Sequence, residues 1–166
     1  MMAGCGSTNA NGPRFAEVPQ SPVSTSQVRI YALRDKVFYA VQAAHIVKAQ
    51  ITVDGRVVGN LMNGGFLSVD VPAGRHNIAA ASGSDETMKG FESLGGSEVY
   101  FEVWDKTRMQ GARAAPAFFV GGYLGARVYG LIEGSLREEH EGRIWGLQVL
   151  SREEAQEKFS RLSLSE

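Results

Sequence analysis

From Val47 to His76 apolar and polar residues alternate, and the run is broken by Asp54-Gly55, Asn63-Gly64-Gly65 and Pro72-Ala73-Gly74. Successive side chains of a strand point to opposite faces, so this pattern specifies half-buried strands and excludes a long helix. Val47, Ala49, Ile51 and Val53 share one face against Lys48, Gln50 and Thr52, and Leu67, Val69 and Val71 repeat the pattern against Ser68 and Asp70. Asp54-Gly55 suits a two-residue type I′ hairpin, because both central residues of that turn need positive φ. Four strands with three turns in about 35 residues predict an antiparallel meander, the start of a sandwich or barrel.

The flanking chain extends this reading. Val28, Ile30 and Ala32 form a first strand, Val99, Phe101 and Val103 a later one, and Ile144, Trp145, Leu147 and Val149 a last one. Residues 82–97 are polar and rich in Gly and Ser, and read as a long connection between sheets. Ser151 with Glu154 is a capping box opening a helix over 152–163. Its apolar stripe is Ala155, Phe159 and Leu162, with Glu154–Lys158 and Glu157–Arg161 as ion pairs on the other face. The expectation is one mainly β domain over 27–166, an antiparallel β-sandwich with one C-terminal α-helix. With 166 residues, 43% of them apolar, the chain can bury a core without a disulfide or a metal. Its single cysteine excludes an intramolecular disulfide and a Cys-rich zinc site. A net charge of −1 gives no overall attraction to nucleic acid.

Ala3-Gly4-Cys5 resembles the end of a bacterial lipobox, in which two small residues precede a cysteine that is diacylated and becomes the new N-terminus. Met2 stands where that pattern usually has Leu, and neither a basic region nor an apolar one precedes it, so the resemblance implies a start upstream of Met1. It also implies lipidation of Cys5. Residues 6–26, polar and small with Pro13, Pro19 and Pro22, have the composition of a tether, so 1–26 reads as a lipobox remnant and disordered linker. Two or more acyl chains give stable membrane attachment with no spanning segment.

Arg34 after the first strand, the Val-Asp-Gly-x-x-Val-Gly hairpin over Val53–Gly59 and the Pro-x-Gly-x-His turn over Pro72–His76 occur in that order. In this the chain resembles a family of uncharacterised bacterial lipoproteins and is similar to PEGA domains of envelope proteins, over 28–81 and more weakly from Val99 to Leu150. The resemblance implies a β-sandwich displayed in the cell envelope, facing the periplasm, as a non-catalytic binding or structural module with a lipid anchor, an envelope protein partner and no cofactor. Gly6 after the cysteine lacks the Asp retention signal, so the same likeness favours the outer membrane.

Other residues carry rival readings. His76 with a carboxylate such as Asp70 would give an acid/base pair for a periplasmic enzyme. As a strand histidine just after a turn, it equally suits a ring that packs and hydrogen-bonds a turn carbonyl. His45 heads a strand, and His140 lies in the charged run Arg137–Glu141, which lacks the three-ligand frame of a catalytic zinc. No Gly-x-Ser-x-Gly, Ser-x-x-Lys, His-Glu-x-x-His or phosphate-loop motif occurs. Residues 114–132 hold only Arg127 as a charge and approach the roughly 20 residues of a membrane span, which gives a third reading as a membrane-inserted oligomer. Pro116, the central Arg127 and repeated Gly suit two buried strands around a Gly-rich turn.

Overall fold

The computed structural model describes residues 9–36, 48–106, 142 and 144–165. Among these the strands are β1 (Gln27–Arg34), β2 (Ala49–Val53), β3 (Arg56–Leu61), β4 (Gly65–Pro72), β5 (Gly74–Ser82), β6 (Asp85–Ser93), β7 (Ser97–Asp105), β8 (Trp145–Leu150) and β9 (Ser163–Leu164), with helix α1 (Arg152–Phe159) between the last two. They form a five-stranded sheet, ordered β8-β7-β1-β4-β9, and a four-stranded sheet, ordered β3-β2-β5-β6. Among the described residues the fold is the expected mainly β sandwich with one C-terminal α-helix. Most ladders are antiparallel, while β1–β7 and β4–β9 run parallel.

Two cores lie on opposite faces of the five-stranded sheet. Val28, Ile30 and Ala32 of β1 point between the sheets, where they meet Ile51, Val53, Ile78, Phe91, Phe101 and Trp145. Tyr31 and Leu33, one residue out of phase, point to the outer face and join Phe66, Tyr100, Phe159 and Leu162. A strand buried on both faces is apolar at nearly every position, as the Ile30-Tyr31-Ala32-Leu33 run is.

The outer core is closed by α1 and by the N-terminal segment. Ser151 caps α1, its Oγ accepting from the Glu154 N–H while the Glu154 carboxylate accepts from the Ser151 N–H. The helix ends earlier than the expected 163: Ser160 donates its hydroxyl to the Glu157 carbonyl, and Ser163–Leu164 then pairs with β4. The expected Glu157–Arg161 pair is present at 3.8 Å, but Lys158 does not pair with Glu154. It instead reaches Glu102 at 2.9 Å and Asp35, and so ties the helix to the sheet.

The tether reading of residues up to 26 is corrected for residues 9–26. Asn9 bridges to Asn63, Arg14 to Ser163, and the Leu164 N–H donates to the Pro13 carbonyl at 2.8 Å. Phe15 then stacks on Phe159 with ring centroids 3.7 Å apart and meets Tyr31 and Phe66 edge-on. Composition counts polar residues, whereas here one aromatic and a few main-chain bonds fix the path.

Two further expectations change. The meander does not form, because β3 and β4 lie in facing sheets and their connection through Met62-Asn63-Gly64 arches across the sandwich. A turn signal does not tell a hairpin from an arch. Residues 82–97 are no long connection: Gly83 at φ 61° turns β5 into β6. The inward positions of β6 include Thr87 and Ser93, so hydropathy alternation is silent there. Thr87 is buried because its hydroxyl donates to the Trp145 carbonyl at 2.6 Å and accepts from the Gly142 N–H.

Phe159 is 4% exposed at the centre of the aromatic cluster, so Phe159→Ala is expected to cost about 3–5 kcal/mol in denaturant unfolding. Val57→Ala, at a position 62% exposed, is expected to stay within about 0.5 kcal/mol.

Candidate functional site

The hydrogen-bond register gives the sandwich two poles. One holds the β2–β3 turn at Asp54-Gly55, the β4–β5 turn at Ala73 and the β6–β7 turn at Leu94–Gly96; the other holds the end of β1, the Met62–Gly64 arch and the β5–β6 turn. His76 is at the first pole. Asp54 (φ 50°) and Gly55 (φ 75°) both have positive φ, as the type I′ turn requires. The turn aims the Asp54 carboxylate at β5, where Oδ1 accepts from the Asn77 N–H at 2.9 Å and Oδ2 lies 2.6 Å from His76 Nδ1. His76 Nε2 lies 2.7 Å from the Pro72 carbonyl oxygen. Both partners are oxygens, so each ring nitrogen has a carboxylate or carbonyl within hydrogen-bond distance. The ring clamps two turns together and leaves no nitrogen for a substrate.

Asp70, the carboxylate considered for an acid/base pair, is elsewhere. It accepts a two-pronged bond from Arg29, with Nε–Oδ1 at 2.6 Å and Nη2–Oδ2 at 2.8 Å. Hydrogen bonding to Arg29 outweighs burial and holds the Asp70 carboxyl below the usual carboxylate range. His76 therefore meets Asp54 rather than Asp70, a contact that follows from the hairpin fold and is not encoded in residue spacing.

Beside Arg29, a cleft of about 310 Å³ is lined by Val23, Gly96, Ser97, Glu98, Tyr100 and Arg152. Tyr100 donates its hydroxyl to Glu98 at 2.6 Å, and Arg152 lies 3.8 Å from the same carboxylate oxygen. Burial, then the Glu98 bond, pushes the Tyr100 hydroxyl well above its ordinary range, so it stays a neutral donor. Sequence reasoning did not find this cleft, because its lining comes from the N-terminal segment, a turn, three strand positions and a helix start.

At the second pole Arg34 ends β1, is 3% exposed and lies over the Trp145 ring at 4.8 Å. Its Nη1 donates to the Leu61 carbonyl at 3.5 Å, so the arginine singled out in the sequence joins the two sheets. Near it, Glu102, 4% exposed, takes bonds from Lys158 and from Gln148 Nε2 at 2.7 Å. This buried pairing holds α1 in place.

Cys5, His45, His140 and residues 114–132 lie outside the described residues. Among the described residues no group of three or more His, Cys, Asp or Glu is arranged for a metal ion, and no helix is long and apolar enough to cross a membrane. No family model, curated protein or solved structure matches the chain.

At Asp54, burial raises the carboxyl's pKa, but bonds from His76 and from the Asn77 N–H together bring it below its ordinary 3.8. Because the folded value is depressed, this contribution is full above 3.8 and is lost as pH falls through the folded value. Asp54→Asn keeps a residue at ease with positive φ but removes the charge. It is expected to be less stable than the parent at neutral pH, with a smaller gap at an acidic pH below 3.8. Urea unfolding at both pH values checks this, and an unchanged gap contradicts it.

Proposed function

We propose that this chain is a cell-envelope lipoprotein, a non-catalytic binding or structural β-sandwich held at a membrane by acyl chains on Cys5. The observation that carries the reading is the lipobox-like run Ala3-Gly4-Cys5, which lies in sequence four residues or more ahead of Asn9, the first described residue, bridged to Asn63. Support for a binding or structural role comes from the side chains best suited to chemistry. Both nitrogens of His76 are engaged by Asp54 and Pro72, and Asp70 is held by Arg29. The likeness to envelope lipoproteins favours a domain facing the periplasm from the outer membrane, with an envelope protein as its partner.

The test is the intact mass of protein purified from bacterial membranes, expressed with the codons that lie upstream in its gene. The expected result is a chain beginning at Cys5 with the mass of two or three acyl chains, and a Cys5→Ser variant that leaves the membrane fraction. An unmodified mass beginning at Met1 or Met2 overturns the reading.

A further inference from the structure

The polar cleft beside Arg29 is used neither by the fold nor by the anchor. It lies where three segments distant in sequence meet: Val23 comes from the N-terminal segment, Gly96 from the β6–β7 turn, Ser97, Glu98 and Tyr100 from β7, and Arg152 from the start of α1. Its walls are held by the protein itself. The Gly96 N–H is shared between the Ser24 and Gln27 carbonyls at 3.0 and 2.8 Å, and a Cβ at Gly95 would run into the Thr25 carbonyl oxygen, so the turn and the N-terminal segment meet backbone to backbone. The Tyr100 ring is stacked on Tyr31 and meets Phe159 edge-on, which fixes where its hydroxyl stands.

The groups this cleft presents are of opposite charge and only partly engaged. Tyr100 donates to Glu98 Oε2, and Arg152 Nη2 stands 3.8 Å from the same oxygen, within reach of an ion pair but too far for a hydrogen bond. Among the described residues Glu98 Oε1 accepts no hydrogen bond and the Arg152 side chain donates none. Ser97, by contrast, is engaged through its hydroxyl with the Leu94 carbonyl and the Ser93 hydroxyl. The cleft therefore offers an anionic acceptor and a guanidinium, and a ligand with a single charge is attracted by one of them and repelled by the other. A ligand with both signs answers each with a charge-assisted hydrogen bond. The volume, about 310 Å³, lies at the small end of the range for ligand pockets, and Val23 is the apolar side chain in the lining.

We propose that this cleft binds a small α-amino acid zwitterion, its ammonium on Glu98 Oε1, its carboxylate on Arg152 and its short side chain against Val23. The match is one of spacing. The two protein charges stand 3.8 Å apart, and in an α-amino acid a single carbon separates the ammonium nitrogen from the carboxylate, whereas an extended γ-amino acid holds its charges farther apart. Tyr100, by occupying Oε2, leaves Oε1 to the ligand and is a positioning residue. The assignment rests on the reading of the domain as a binding module and not on acylation of Cys5.

The experiment titrates the full isotope-labelled chain at neutral pH with L-alanine, γ-aminobutyrate, acetate and ethylamine, and follows the backbone amide resonances. The expected result is a saturable shift at the Gly96, Ser97 and Glu98 amides with L-alanine, and weaker binding of the other three. Glu98→Gln and Arg152→Gln are each expected to weaken L-alanine binding by roughly tenfold, the loss of one charge-assisted hydrogen bond. Glutamine keeps an acceptor for Tyr100 and Arg152 is exposed, so both variants are expected to keep the parent's spectrum away from the cleft. The absence of a saturable shift with L-alanine, equal affinity for acetate or ethylamine, or variants of parental spectrum that bind as the parent does would each overturn the assignment. The anchor is read separately, from the intact mass.

Discussion

Strand β1 is buried on both faces and hydrogen-bonded along both edges, and the rest of the fold is arranged about it. Its even-numbered residues from Val28 to Ala32 fill the space between the sheets, and Tyr31 and Leu33 seed the outer core. Antiparallel pairing to β4 and parallel pairing to β7 bring together segments about 40 and 70 residues away in sequence. A residue slip in β1 would exchange the two cores, sending Arg29 and Tyr31 inward, so the register is strongly specified. The Arg29–Asp70 pair, across the β1–β4 ladder, is available only in this register.

The outer face shows why a two-layer sandwich needs a third layer here. Tyr31 and Tyr100 stack with centroids 5.3 Å apart, and their rings need cover that the second sheet, on the far side, does not provide. Phe159 supplies it from the helix and Phe15 from the N-terminal segment. The helix is placed by its own stripe and by Lys158, held between Asp35 and Glu102. Burial disfavours the lysine's charge, but the two carboxylates more than offset this and raise its pKa above the ordinary value. Removing one partner from such a pairing leaves a charge with little compensation, which is why the polar contact lies beneath the helix rather than on its exposed side.

Much of the architecture was legible in residue pattern. Alternation marked β1, β2, β4 and β7, the Asp54-Gly55 turn took the expected backbone, and the Ser151–Glu154 box began the helix where expected. Strand β6 was hidden because its inward side uses Thr87 and Ser93, polar residues whose burial depends on hydrogen bonds, that of Thr87 to the distant Trp145 carbonyl and that of Ser93 to Ser97. The arch from β3 to β4 was hidden because local turn chemistry does not say which sheet the next strand enters. Of the chemical candidates, His76 was visible as a residue, but its carboxylate partner was not. Asp54 and His76 are joined by the β2–β5 ladder, and that ladder is a tertiary fact.

The N-terminal segment carries the link between fold and function. Its polar composition suggests a spacer, yet its main-chain bonds to Asn63 and Leu164 and the seat of Phe15 make it a strap across the outer core. That strap begins at Asn9, the first described residue, and crosses the outer core to Phe15. Native-state hydrogen exchange tests this most directly, read at the amides of Ala10, bonded to the Asn63 carbonyl, and of Leu164, bonded to the Pro13 carbonyl. The account predicts that both exchange far more slowly than in an unstructured peptide. Exchange of both at the rate of a free chain would contradict it and would return residues 9–26 to the role of a loose tether.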